Sequence, residues 1–300
     1  MSRLRGAAAW ALVGLLAWGA LARAQDASAP RDTLNKARTT GAVTIGYRDS
    51  AIPFSFVSAR GEPIGYSIDL CTLLVDAIAQ AVDRPVETRW RAVTSQSRLE
   101  ALESGQIDLE CGSTTHNLER EKRVGFSPTF FISGTKLLVP RGSAIRSFRD
   151  LAGKRVGVTA GTTNERAVRD LAAKFKLDLT LVESADHEAS FARLTSGQLD
   201  AFATDDVLLY GLLAQHRASA DYEVVGEFLS YDPYAIALPK GDADLARLVD
   251  DTFAQLARDG EIERRYKRWF ERTLPSGVSL NLPMSAQLVT LIQTLVPRGD

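Results

Sequence analysis

The stretch LESGQIDLECGSTT, Leu102 to Thr115, returns in nearly the same letters as LTSGQLDAFATDD, Leu194 to Asp206. In each copy Ser-Gly closes a helical pattern and Gln-Ile/Leu-Asp turns a corner. An apolar run then reads as a buried strand, and hydroxyls or carboxylates follow at once. The copies lie roughly 90 residues apart, too far for a solenoid repeat of about 20–50 residues, and they predict two similar halves.

Outward from these copies the chain alternates strand and helix. Strands are predicted at 43–46, 86–90, 107–111, 154–159, 179–182, 201–203 and 234–238. The run 67–82 is apolar nearly all round and reads as a buried helix. Thr94 or Ser95 is expected to cap a helix ending at Gly105, and Thr162 with Glu165 has the spacing of a capping box. His187 to Thr195, Leu245 to Ala257 and Ile262 to Phe270 complete the helices. Such βαβ alternation predicts an α/β protein whose mostly parallel sheets are flanked by helices. Two extended stretches, 126–140 and 227–241, fit chain crossings between two halves; ordinary sheet strands are the other reading. Open parallel sheets bind ligands beyond the carboxyl ends of their strands. The tails Gly112 to Thr115 and Thr204 to Asp206 occupy that place, one in each half.

Composition narrows the function. At 300 residues, with 45% hydrophobic and 24% charged residues, the chain is of ordinary globular make-up. Its pI near 6.4 offers no basic surface for nucleic acid. Arg3 and Arg5, an uncharged run from Gly6 to Ala22, and Ala22-Arg23-Ala24 read as a cleaved signal peptide over 1–24. An uncleaved membrane anchor is the alternative, for which the run is short and rich in alanine. Cleavage removes three arginines and no acid, so the formal charge goes from −1 to −4. In an oxidising compartment Cys71 and Cys111 are expected to pair, with two buried free thiols as the alternative. No further Cys or His stands at metal-ligand spacing, and no metal or cofactor is expected.

The segments GYRDSAIPFSF, GYSIDL, TSQSRLEALESGQIDLECGSTTHNLERE, VGFSPTFF, GTTNE, DHEASF and YKRWF together resemble the periplasmic amino-acid-binding proteins of ABC importers. Within that family they are most similar to the branch binding glutamate and aspartate. The resemblance runs from about residue 33 to 270, and the tail is also similar to that branch. It implies a two-lobed venus-flytrap fold: lobe 1 over 33–134 plus 236–272, lobe 2 over 135–235, and a C-terminal tail over 273–300. It further implies a monomer in the periplasm that clamps L-glutamate or L-aspartate, does no chemistry on it, and docks on a membrane permease.

An acidic amino acid carries two carboxylates and an ammonium, and a dry cleft must pair each. By resemblance Arg98 takes the α-carboxylate, while Arg48, a guanidinium just past a strand, is assigned to the side-chain carboxylate. Ser95, Ser113, Thr115 and Thr163 are implied ligand contacts; on spacing alone Ser95, Ser113, Thr115 or Asn117 serves equally as a helix cap. His187 is implied to face a carboxylate, and to be neutral if charges balance: Arg48 and Arg98 against Asp205 and the anionic ligand. Asp205 is implied to hold the ammonium, though it or Asp206 could simply cap a helix. Two other functions fit the scaffold: a cyclohexadienyl dehydratase, which needs a general acid, and a ligand-sensing adaptor. Glu110, Glu165 and Glu188 are conceivable acids, but strand direction and capping account for them.

Overall fold

The computed structural model describes residues 31–296; the predicted signal peptide lies outside the described residues. Two five-stranded sheets share one layout. In the first, Ala42–Tyr47 runs parallel to Glu87–Ala92 on one side and to Leu109–Glu110 on the other. The returning strand Ala237–Leu238 lies antiparallel between Leu109–Glu110 and Gly125–Phe126. In the second, Arg155–Thr159 is parallel to Thr180–Ser184 and Ala201–Asp205, and Thr135–Pro140 lies antiparallel between Ala201–Asp205 and Tyr222–Val225. Four of the five strands in each sheet run the same way, as expected, and each sheet is mixed only because it takes in one reversed strand at a crossing.

The repeated phrase builds the same joint twice. Gly105 and Gly197 both adopt φ +74°, a left-handed value that L side chains resist. The N–H of Gln106 then donates to Ala101 O, and that of Gln198 to Arg193 O, each at 2.9 Å. One residue further on, Ile107 and Leu199 press on glycines of the neighbouring strand: a Cβ on Gly46 or Gly157 would lie 2.5 or 2.4 Å from their Cδ1 atoms. The repeated aspartate fixes register. Asp108 accepts from Thr44 N at 2.8 Å, and Asp200 from Arg155 N at 2.7 Å. Small polar groups therefore emerge at the same sheet edge in both lobes.

Between the sheets Phe131–Ser133 and Asp232–Tyr234 pair antiparallel as a two-stranded hinge. The strand expected over 234–238 is thus two strands, one in the hinge and one in the first sheet. Phe131 and Tyr234 pack edge-on to Phe54, with ring centroids 4.8 and 5.0 Å away. The hinge is anchored to the aromatic core of the first lobe, which the helices Tyr66–Ala81, Ala243–Arg258 and Ala286–Thr294 cover. The helix expected from Ile262 ends at Tyr266 and widens into a π turn over Lys267–Glu271.

Cys71, in the helix Tyr66–Ala81, is bonded to Cys111 immediately after the strand Leu109–Glu110. The link ties the Gly112–Thr115 loop to the lobe core. It closes a loop of sequence separation 40, for which the chain-entropy model gives about 4 kcal/mol. Replacing both cysteines by alanine is expected to lower unfolding free energy by roughly that amount in urea titrations. Equal stability with and without a reductant would show that the bridge does not hold the loop.

Candidate functional site

Arg48 follows the strand Ala42–Tyr47, and Arg98 is the first residue of the helix Arg98–Glu103. Both are only 2% exposed. With Ser113, Thr115, Thr163, His187 and Asp205 they line one cavity between the lobes, of about 10 Å³. Thr162, Asn164 and Leu208 close its wall. Ser95 stands apart from this set and lines an adjoining cleft of about 250 Å³, which shares Thr162 and Thr163 with it.

Local hydrogen bonds show which side chains are free of capping duty. Asn117 accepts from Arg120 N at 2.9 Å and caps Leu118–Glu121, so neither Ser113 nor Thr115 does so. Ser95 caps nothing, and its buried hydroxyl has no partner. Instead Thr94 and Ser97 bond each other's main-chain N–H, at 3.1 and 3.0 Å, and this turn delays the helix start to Arg98. Thr162 caps the helix Thr163–Phe175 by accepting from Glu165 N, while Glu165 accepts from Gly161 N rather than closing the expected box on the cap residue. Asp205 occupies the cap position of Asp206–His216 without making a cap bond. Its carboxylate accepts from Tyr234 OH and from Asn164 Nδ2, the latter at 2.9 Å.

The charge count read from sequence is incomplete. Arg120, 9% exposed, donates to Thr115 O at 2.8 Å. Glu110 is fully buried, and Asp232 nearly so. Asp232 sits in the hinge and accepts from Thr115 Oγ1 at 2.9 Å and Thr163 Oγ1 at 2.7 Å, one hydroxyl from each lobe. Three guanidinium groups and three carboxylates therefore share the seam, where Arg48, Arg98 and Asp205 alone were expected. Arg120 was hidden in a short charged helix that reads as solvated. Asp232 was hidden in a crossing segment. Glu110 does not fit the strand-direction account given above: a fully buried carboxylate within an apolar strand was the available signal. Glu165 and Glu188 do have local roles, the second pairing with His216 at the surface.

Burial, then Arg98, lowers Arg48 to about 10, with Glu110 opposing; it stays cationic at neutral pH. Burial, then Arg98, brings Arg120 to about 9, again against Glu110. Burial raises the Asp205 carboxyl well above the usual range; Asp232 adds to this, and the bonds from Tyr234 and Asn164 oppose it. An ammonium at Asp205 would restore the ionised form. Burial, then Arg48 and Arg98, holds His187 well below its ordinary value, and Thr159 Oγ1 meets its Nδ1 at 2.9 Å. Burial and the two arginines both favour the neutral imidazole.

Residues 43–272 match the sequence profile of the bacterial extracellular solute-binding proteins, family 3. The chain is 41% identical over 263 residues to the L-glutamate/L-aspartate-binding protein of Pseudomonas aeruginosa, covering 87% of each chain. It is 36% identical over 288 residues to the glutamate/aspartate import solute-binding protein of Escherichia coli K12, covering 95% of each. Among solved structures it resembles an ancestral arginine-binding protein bound to glutamine: TM-score 0.70, 29% identity, 77% of this chain and 99% of that one.

The neutral imidazole has a consequence for stability. The unfolded chain takes up a proton at His187 near pH 6.5 and the folded chain does not, so stability is present above about pH 6.5 and is lost below it. The loss reaches about 1.4 kcal/mol per pH unit. His187→Gln is expected to lose less stability than the wild type between about pH 7 and pH 5 in urea titrations. The opposite contribution of Asp205 is common to both proteins and cancels. Parallel curves would show that His187 takes up a proton in the fold.

Proposed function

Because this chain belongs to the bacterial extracellular solute-binding proteins, family 3, we propose that it captures an acidic L-amino acid, glutamate or aspartate, between its lobes. It then hands the ligand to an ABC permease. The observation that carries this reading is the meeting of Arg48, Arg98 and Asp205 around one cavity, with hydroxyls from both lobes. Guanidinium groups suit two carboxylates, and an aspartate suits an ammonium. The relatives named above are binding proteins, and the chain is read as one that leaves its ligand unchanged.

In this reading Arg98 holds the α-carboxylate and Arg48 the side-chain carboxylate. Asp205 receives the ammonium, and neutral His187 donates to a carboxylate oxygen. Ser95, Ser113, Thr115 and Thr163 complete the hydrogen bonds. The lobes are taken as 33–134 plus 236–272 and 135–235, with 273–300 as a C-terminal tail whose helix Ala286–Thr294 packs on the first lobe. A cavity of about 10 Å³ has room for one water at most, so the lobes must part to admit an amino acid. Ligand that touches both lobes only when they are closed stabilises the closed state by that difference. The protein acts as a periplasmic monomer.

Arg98→Ala is expected to cost about 2–5 kcal/mol of binding free energy for glutamate and aspartate alike. Arg48→Ala should chiefly erode the preference for glutamate over glutamine. Calorimetry on the two variants separates these roles, and undiminished glutamate affinity in Arg48→Ala would remove that residue from the assignment. Small-angle scattering should show the wild type compacting on glutamate addition, and an unchanged radius of gyration would rule out hinge closure.

A further inference from the structure

Glu110 has no place in the assignment above. It lies at the end of Leu109–Glu110, fully buried, where the site must admit an anion. Its Oε2 accepts from Thr114 Oγ1, and its Oε1 has no hydrogen-bond partner. Among the described residues no carboxylate comes within ion-pair reach, 4.0 Å, of Arg48, Arg98 or Arg120. Yet the Glu110 charge raises the proton affinity of all three. Gly112 makes room for this arrangement: a Cβ there would lie 2.5 Å from Glu110 Oε1 and 2.9 Å from Arg48 Cγ. The carboxylate is packed beside the Arg48 stem and held off its guanidinium.

A carboxylate so placed repels a ligand carboxylate bound by the same arginines. It has a physical reason to stay: three dry guanidinium groups in one seam repel each other and need fixed counter-charge. From these observations we infer that Glu110 is a specificity-determining residue, an internal counter-ion that limits how strongly the site prefers an acidic side chain over its amide. It sets the hold on glutamate below the maximum that the arginines could exert, so that ligand can leave when the lobes open. The inference rests on the acidic amino-acid reading.

Glutamate and glutamine share the α-carboxylate and the ammonium, so their affinity ratio isolates the side-chain charge. Removing Glu110 should raise the ratio of glutamine Kd to glutamate Kd by roughly tenfold or more, since one unit-charge interaction at an effective dielectric of about 20 is still worth about tenfold across about 12 Å. The rise should come from tighter glutamate binding. Glu110→Gln is the isosteric variant, and Glu110→Met is a second neutral one that carries no amide. Both are titrated calorimetrically with L-glutamate and L-glutamine, the weaker ligand by displacement, after thermal unfolding without ligand has shown that the variant is folded. A ratio that stays within about twofold of wild type, or falls, overturns the assignment, because a structural role weakens both ligands together. Wild-type protein that binds no acidic amino acid overturns the functional reading, and this inference with it.

Discussion

Guanidinium groups cannot be taken out of water without an answering charge, and the whole design follows from putting three of them where two lobes meet. Arg48, Arg98 and Arg120 are buried at one seam with Glu110, Asp205 and Asp232. Each ion left alone would cost several kcal/mol. The seam tolerates them because carboxylates are spread among them, because hydroxyls and an amide bond Asp205 and Asp232, and because Arg48 and Arg98 line the cavity that admits an anion. That demand explains why so many threonines and serines surround the cavity. In the first lobe a disulfide ties the polar loop after Leu109–Glu110 to the core.

The lobes were legible because the joint that makes them is local and occurs twice. Helix, left-handed glycine, corner and buried strand are all within reach of a short window, and both copies fold alike. The amphipathic helices and the short strands were readable for the same reason. Less legible was pairing between distant segments. Ala237–Leu238 joins the first sheet after the chain has built the whole second lobe. Its antiparallel sense depends on how the chain returns, which no local pattern encodes.

The candidate site divides along the same line. Arg48, Arg98 and Asp205 follow strands or open helices at predictable edges. The residues that complete the charge count do not. Arg120 faces inward from a four-residue helix whose letters, Leu-Glu-Arg-Glu, look solvated. Asp232 belongs to a hinge strand whose role appears only when both lobes meet over it. Ser95 was legible as polar and near the right helix, but whether it faced a ligand or capped that helix turned on a hydrogen bond between Thr94 and Ser97. Side-chain direction at a helix start is decided by such bonds more than by periodicity.

Asp232 then links recognition to motion. It lies on the hinge, yet its Oδ1 is where hydroxyls from both lobes end, Thr115 from one and Thr163 from the other, themselves 3.1 Å apart. Opening the lobes must break at least one of these bonds, along with the pair between Glu119 and Arg166 at the cleft rim. The rim pair is exposed on both sides and contributes at most about 1 kcal/mol. The buried hydroxyl bonds matter more, since an opened carboxylate must find water in their place. A ligand that offers its own polar atoms to Thr115 and Thr163 competes for the same two hydroxyls. Closure around ligand is therefore an exchange of hydrogen bonds at the seam. The net gain comes from the charges of the ligand, which is why the balance of arginine and carboxylate there governs both selectivity and release.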